Sequence, residues 1–274
     1  MSAHPYPPEG ARLKLARAHG HLQELRSEID AFFESPPFRW VLYRDESGLN
    51  YSLVGYLNHW LTEMVPTIIG DCLQNMRIAL DHLAWALAES TGEEPPRNTA
   101  FPIYLDSADF HARTNKGKPA GWSGLKKIEA IPDEAQAVIE ELQPYHGDDP
   151  STHPLWILNE YSRIDRHRTL SVMYAVSDYT DFDVGTLDSS GKLVSLPKDM
   201  VTNLTLTGPG FFHGMDLARF TLKEPVPDLR VKYDSPFYIT FGQRYISVGD
   251  PLEVLGDIHG HIEQTVLPKF ARFF

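Results

Sequence analysis

Residues 66–91, PTIIGDCLQNMRIALDHLAWALAEST, contain the clearest helix signal in the chain and decide its fold. Their apolar side chains recur at alternating steps of three and four, which is typical of the buried stripe of a long helix. Pro66 suits the first helical turn, and Gly92 predicts an end just after the segment. The predicted buried stripe consists of Ile69, Leu73, Met76, Leu80, Leu83 and Leu87.

Further helices are predicted on both sides of this segment from the same periodicity. The first ends before Pro36-Pro37, because proline neither donates a backbone hydrogen bond nor tolerates a helical predecessor. The last begins at Asp250 and Pro251, which suit the N-cap and the first helical position. The predicted ranges are 9–35, 132–142, 155–176 and 250–270.

Strands are predicted in two regions. Two β-prone runs around Glu46-Ser47-Gly48 indicate an N-terminal β-hairpin over 38–57. Short β-prone runs between Gly, Pro and Asp residues indicate an antiparallel sheet of about four or five strands over 177–249. We therefore expect a single α+β domain over 1–274, a bundle of about four long helices with a hairpin and a sheet in its C-terminal half.

The bulk composition narrows the class of protein. Hydrophobic residues at 42% and charged residues at 23% are typical of a folded chain. The formal net charge of −12 opposes binding to duplex DNA and to anionic membranes. Cys72 is the only cysteine, which excludes an internal disulfide and fits a reducing compartment. We expect a bacterial-type cytoplasmic protein without a membrane span or a cofactor, since the glycine-rich nucleotide-binding motifs are also absent.

The side of the central helix opposite its apolar stripe carries a mixed set of residues. At about 100° per residue, these fall within a band roughly 80° wide. Arg77 and Asp81 lie one turn apart beside this band and can form an ion pair. The band is either a partly solvated face or a second interface that holds a polar pocket. Its members are Asp71, Asn75, Ile78, His82 and Trp85.

A second polar cluster lies on the helix predicted for 155–176. Glu160, Arg163 and His167 are spaced three and four apart and share one face, and Asn159 precedes them. This cluster is either a solvated face with local ion pairs or the partner of the polar band on the central helix. If the two faces meet, they form a structural network or an active site, and the sequence leaves both open.

Residues 70–85, GDCLQNMRIALDHLAW, resemble the signature helix of an uncharacterised bacterial protein family. Residues 142–145 (LQPY), 164–168 (IDRHR) and 267–270 (LPKF) are also similar to that family, so the resemblance covers most of the chain. It implies no established activity.

The Arg77-x4-His82 spacing is similar to the Arg-x4–6-His motif of HEPN domains, which are small helical bundles. Many of these are metal-independent ribonucleases of toxin and defence systems. The resemblance implies a homodimer that cleaves RNA through attack of the ribose 2′-hydroxyl. His82 would be the general acid/base, and Arg77 would stabilise charge on the phosphate.

Two other functions remain open. The first is a non-catalytic module that binds a small molecule or a protein partner. The second is a metal-binding helical bundle, because carboxylates and imidazoles are suitable ligands, although no recognised ligand spacing occurs. The candidate ligands are Asp71, His82, Glu160 and His167.

Overall fold

The computed structural model describes residues 8–176, 181–208, 210–242 and 249–274. Helices and antiparallel strands both build the fold, so the predicted α+β class is confirmed. Contacts between residues divide the chain into two compact units. The β unit comprises Glu28–Thr62 and Val172–Phe241, and the helical unit comprises the remainder. The expectation of one domain over 1–274 stays a prediction.

The helical unit is built around two long helices of 25 residues each. The first of these runs on into the β unit, to which its last turns belong. Ile262–Val266 is a π-helical turn between the last two helices. The α-helices are α1 (Glu9–Phe33), α2 (Val65–Glu89), α3 (Ser107–Phe110), α4 (Gly124–Ile128), α5 (Asp133–Glu141), α6 (Pro154–Asp165), α7 (Pro251–His261) and α8 (Leu267–Phe270).

Helix α2 is the centre of the helical unit. All six residues of its predicted apolar stripe have no exposed surface, which confirms the periodicity argument. It packs against α6 and α7, and the Cys72 thiol on it faces the carbonyl of Ala18 in α1 at 3.5 Å. Burial raises the pKa of Cys72 to about 12, so the thiol stays protonated and serves as a small core residue.

The C-terminal helix changes its winding before Pro268. Proline lacks the N–H that would continue the hydrogen-bond ladder, and its ring crowds the carbonyl one turn earlier. The wide turn at Ile262–Val266 relieves this conflict and lets the chain continue as α8. Pro268 thus changes the winding of the C-terminal helix without ending it.

Within the described ranges, the strands of the β unit form three antiparallel sheets with the orders β1-β2-β8-β6, β10-β3-β7 and β5-β4-β9. Phe38 pairs with Leu57 and Arg44 with Tyr51, so the hairpin predicted over 38–57 is confirmed. The strands are β1 (Phe38–Arg44), β2 (Asn50–Leu57), β3 (Val172–Val176), β4 (Asp181–Leu187), β5 (Leu193–Ser195), β6 (Val201–Leu206), β7 (Gly210–Phe211), β8 (Met215–Leu222), β9 (Arg230–Asp234) and β10 (Phe237–Phe241).

The expectation of one sheet over 177–249 is wrong. Strands of that region are shared among the three sheets, and β2 of the hairpin pairs with β8 in the largest of them. Within that range, 177–180, 209 and 243–248 lie outside the described residues. Hydrophobic alternation predicts that a strand exists, but its partner is set by contacts between distant parts of the chain.

The helix predicted over 155–176 is correct only for its first half. Helix α6 ends at Asp165, and Val172–Val176 is strand β3, paired with β10 on one side and β7 on the other. Basic residues follow Asp165 directly, as is common after a helix end, and the run VMYAV has high β propensity. With α6 at 12 residues and α7 at 11, an arrangement of about four long helices is not confirmed.

Each unit has an apolar core. In the β unit, Tyr51 and Phe220 stack with ring centroids 5.2 Å apart, and Leu53 is fully buried. In the part of the chain that the structure covers, no helix combines the length and apolarity needed to cross a membrane.

Candidate functional site

One side of α2 holds a loop of the helical unit in place. The Arg77 guanidinium donates from Nη2 to the carbonyl of Phe101 at 2.7 Å and forms an ion pair with Oδ1 of Asp81 at 3.1 Å. The same oxygen of Asp81 accepts the backbone N–H of Phe101 at 3.0 Å. The ion pair predicted from the sequence is therefore present, and together its two members satisfy both backbone groups of Phe101.

Gln143 holds the other end of the same loop. Its Oε1 accepts the N–H of Tyr104 at 3.1 Å, and its Nε2 donates to the carbonyl of Pro102 at 2.9 Å. Gln143 is buried, so these bonds replace water for backbone groups that would otherwise lack partners. Helix α2 and Gln143 thus hold opposite ends of the same loop, residues 101–104.

Arg77 is largely withdrawn from solvent, with only 13% of its side chain exposed. Burial lowers its pKa, and the nearby carboxylate of Asp81 partly opposes that shift. Among the residues that the structure covers, the buried Nη1 atom has no hydrogen-bond partner. Arg77 therefore stabilises the fold while keeping one donor group unused.

The adjacent side of α2 is more open. His82 is exposed, and it lies so close to α1 that a Cβ placed on Gly10 would come within 2.6 Å of its Nδ1. Asn75 is half-buried; it accepts from Nζ of Lys14 at 3.4 Å and donates to the carbonyl of Asp71 at 2.8 Å. Asp71 is exposed. Asn75 and His82 therefore face the start of α1, which covers the polar band only in part.

A groove of about 490 Å³ opens beside His82. Two carboxylates and an indole contribute to its walls, and the indole N–H of Trp85 donates to Oε1 of Glu89 at 2.9 Å. Asp81 lines the groove as well as pairing with Arg77, so it belongs to both sides of α2. The lining residues are Pro8, Gly10, Asp81, His82, Trp85, Ala86, Glu89 and Thr99.

The second predicted cluster is mainly a local surface feature. Glu160 and Arg163 form an ion pair at 2.6 Å within α6, and the hydrogen bond that Arg163 donates to Glu160 is the main cause that raises the pKa of Arg163. The Arg163 side chain is 55% exposed. Asn159 is half-buried, whereas His167 is exposed beyond the end of α6. These contacts agree with the solvated face that the sequence left open as one alternative.

Helices α2 and α6 meet through residues that the sequence-based hypothesis did not select. Nε2 of Gln74 donates to the carbonyl of Ser162 at 3.0 Å and to Oδ2 of Asp165 at 3.1 Å. Gly70 leaves the space that the Asp165 carboxylate occupies, because a Cβ there would overlap with it. Within the covered ranges, no hydrogen bond or ion pair joins Asp71, Asn75 or His82 to Glu160, Arg163 or His167.

Gln74 and Asp165 were visible as polar residues, but nothing in the local sequence indicated that they pair. The glycine carried the usable signal, since an isolated glycine inside a helical pattern often marks a close approach. Gly70 and Asp165 are far apart in sequence, and their contact fixes how closely α2 and α6 approach each other.

Within the described ranges, no three or more His, Cys, Asp or Glu residues are placed to hold a metal ion. The metal ligands proposed from the sequence are therefore not brought together within those ranges; they are Asp71, His82, Glu160 and His167.

Comparison with family models, curated proteins and solved structures finds no match to the chain.

Proposed function

We propose that the protein is a non-catalytic binding module, and that the groove beside His82 receives a small molecule or side chain with a positively charged group. The observation that supports this most directly is the pairing of two carboxylates, Asp81 and Glu89, with the indole of Trp85 in one groove. A cytoplasmic, bacterial setting, which the sequence suggests, belongs to the same proposal.

The groove offers more hydrogen-bond acceptors than donors. Each carboxylate uses one oxygen in the structure: Oδ1 of Asp81 binds Arg77 and Phe101, and Oε1 of Glu89 binds Trp85. The second oxygen of each remains for an ammonium or guanidinium group. An indole face adds cation–π attraction, which is stronger for tryptophan than for the other aromatic residues.

The size of the groove fits the same proposal. A volume of about 490 Å³ falls within the range of roughly 300–1,000 Å³ that is typical of small-molecule sites. An anionic ligand would face both carboxylates at short range and would be repelled. Net charge supports the same preference, because the chain as a whole is acidic at −12.

Titration with agmatine, which carries a guanidinium and an ammonium group, tests the proposal by calorimetry and by thermal shift. We expect saturable binding that Glu89→Gln weakens about tenfold, as loss of a charge-assisted hydrogen bond predicts. Glu93→Gln is the matched control, since Glu93 is exposed and outside the groove. Binding that is absent, or equal losses in both variants, would reject the groove as a cation site.

A second candidate is the HEPN-like, metal-independent endoribonuclease that the sequence resemblance implies. The favouring observation is that His82 is exposed on a groove that also contains Trp85, where a base can stack. In this proposal a homodimer brings two grooves to one RNA strand, with His82 as general acid/base and Arg77 as phosphate stabiliser through its unused Nη1.

Incubation with end-labelled RNA in EDTA tests this candidate. We expect cleavage by the unmodified protein, its loss in His82→Ala, and its retention in His167→Ala, which removes another exposed histidine. Sedimentation of the active species should show a dimer. A protein that leaves RNA intact, or one whose activity survives in His82→Ala, excludes this mechanism.

A further inference from the structure

Two cationic side chains lie at the loop 101–104 in the helical unit, and the charge of a third acts on one of them. Arg77 comes from α2, Lys127 from α4, and Arg166 from the C-cap of α6. Nζ of Lys127 lies 5.1 Å from the centre of the Tyr104 ring, and Arg77 holds the neighbouring Phe101 carbonyl. In a chain with a net charge of −12, such a local excess of positive charge is unusual.

The pKa values of Arg77 and Lys127 respond to neighbouring positive charge. Burial lowers the pKa of Lys127, the charge of Arg77 lowers it further, and Asp81 opposes the shift. Burial is the main cause that lowers the pKa of Arg77. The charge of Arg166 lowers this pKa further, whereas Asp81 opposes the shift. The cations therefore repel one another across a partly desolvated space.

Hydrogen-bond donors outnumber acceptors around these three cations. Oδ1 of Asp81 already receives both Arg77 and the Phe101 N–H. Nη1 of Arg77 is buried without a partner in the described part of the chain, and Lys127 meets the π face of Tyr104 instead of a carboxylate. Arg166 donates from Nε to the carbonyl of Ser162 at 3.3 Å. A negatively charged acceptor would satisfy the remaining donors.

We infer that Arg77, Lys127 and Arg166 form a binding site for an oxyanion, the phosphate or carboxylate group of a small ligand. Nη1 of Arg77 and Nζ of Lys127 supply the inner donors, and the exposed guanidinium of Arg166 supplies the outer one. Arginine and lysine are the usual partners of such groups, because they combine full charge with several N–H donors.

This site is separate from the groove beside His82 and prefers the opposite charge. Asp81 lies between the two, with one oxygen turned to Arg77 and with its side chain also lining the groove. The alternative is that the cations only support the fold, with their charge balanced by Asp81 and by solvent. That alternative predicts no preference of the protein for any particular anion.

Calorimetric titration with inorganic phosphate and, separately, with acetate tests the inference, each against chloride at equal ionic strength. We expect saturable binding of at least one oxyanion, weakened about tenfold by Lys127→Gln and about threefold by Arg166→Gln. Lys126→Gln is the matched control, since Lys126 is adjacent in sequence but paired with Glu129. Arg77 is left intact because its replacement threatens the fold.

The phosphate and acetate titrations also identify the class of ligand. Tighter binding of phosphate assigns a phosphorylated ligand, and tighter binding of acetate assigns a carboxylate. Binding of neither beyond the effect of chloride overturns the inference. Equal losses in Lys126→Gln and Lys127→Gln would overturn it too, because they indicate a general charge effect. Circular dichroism of each variant separates lost binding from lost structure.

Discussion

Two sides of a single helix, α2, differ in what surrounds them. On one side Arg77 and Asp81 bind the backbone of Phe101, and only 13% of the Arg77 side chain is exposed. On the other side His82 is exposed beside an open groove. One side is therefore tied to a loop of the helical unit, whereas the other is open to solvent.

The contrast shows why a short motif is an ambiguous guide to function. Residues five apart on a helix point about 140° away from each other, so Arg77 and His82 share a motif without sharing surroundings. Their roles depend on what covers each direction. A loop that folds back covers Arg77, while the start of α1 covers His82 only in part.

Replacing Arg77 should have the largest effect on stability. Arg77→Met leaves the Asp81 carboxylate and the Phe101 carbonyl without their partner, so we expect a loss of about 3–5 kcal/mol in the free energy of unfolding. Urea denaturation measures it. Arg163→Met removes an exposed ion pair and should cost less than about 1 kcal/mol. Similar losses in both variants would show that the buried ion pair of Arg77 stabilises the protein no more than the exposed ion pair of Arg163.

Filling the space at Gly70 should have an intermediate effect. In Gly70→Ala the new methyl group overlaps with the Asp165 carboxylate, so α2 and α6 must separate or the side chain must move. We expect a loss of about 1–3 kcal/mol, measured by urea denaturation.

A second helical glycine provides the control. A Cβ at Gly256 in α7 would meet no atom within 4 Å, so Gly256→Ala should stabilise the protein by up to about 1 kcal/mol through helix propensity. If Gly70→Ala also stabilises the protein, close packing between α2 and α6 is not what the glycine serves.

Removing the imidazole side chain of His82 should have the smallest effect on stability. His82→Ala removes an exposed side chain, so we expect a change within about 0.5 kcal/mol in the free energy of unfolding. The same denaturation experiment checks it. A loss as large as that of Arg77→Met would show that His82 is a structural residue and that the groove is part of the core.

Most of the helical pattern could be predicted from the sequence because it is local. The apolar stripe of α2 is buried as expected, and Leu255, Ile258, Ile262 and Val266, spaced three and four apart near the C-terminus, are buried too. The helix over 155–176 was half wrong because no proline or glycine follows Asp165 to stop it and apolar residues resume at Leu170. There the β propensity of Val172–Val176 competed with helical periodicity.

How far a contact around the candidate site could be predicted depends on how far apart its two residues lie in sequence. The ion pair between Arg77 and Asp81 could be expected, because partners one turn apart on a helix are neighbours wherever the helix lies. The contact between Gln74 and Asp165 could not, since the two residues are 91 positions apart in sequence.

By itself, the sequence determined that α2 is a helix and which of its sides is buried, since side-chain spacing sets both within the segment. Only the tertiary structure decided that Arg77 binds a carbonyl 24 residues away, that β3 is a strand between β10 and β7, and that His82 faces a groove. The physical reason is that hydrogen-bond partners and solvent exposure depend on which distant segments the folded chain brings together.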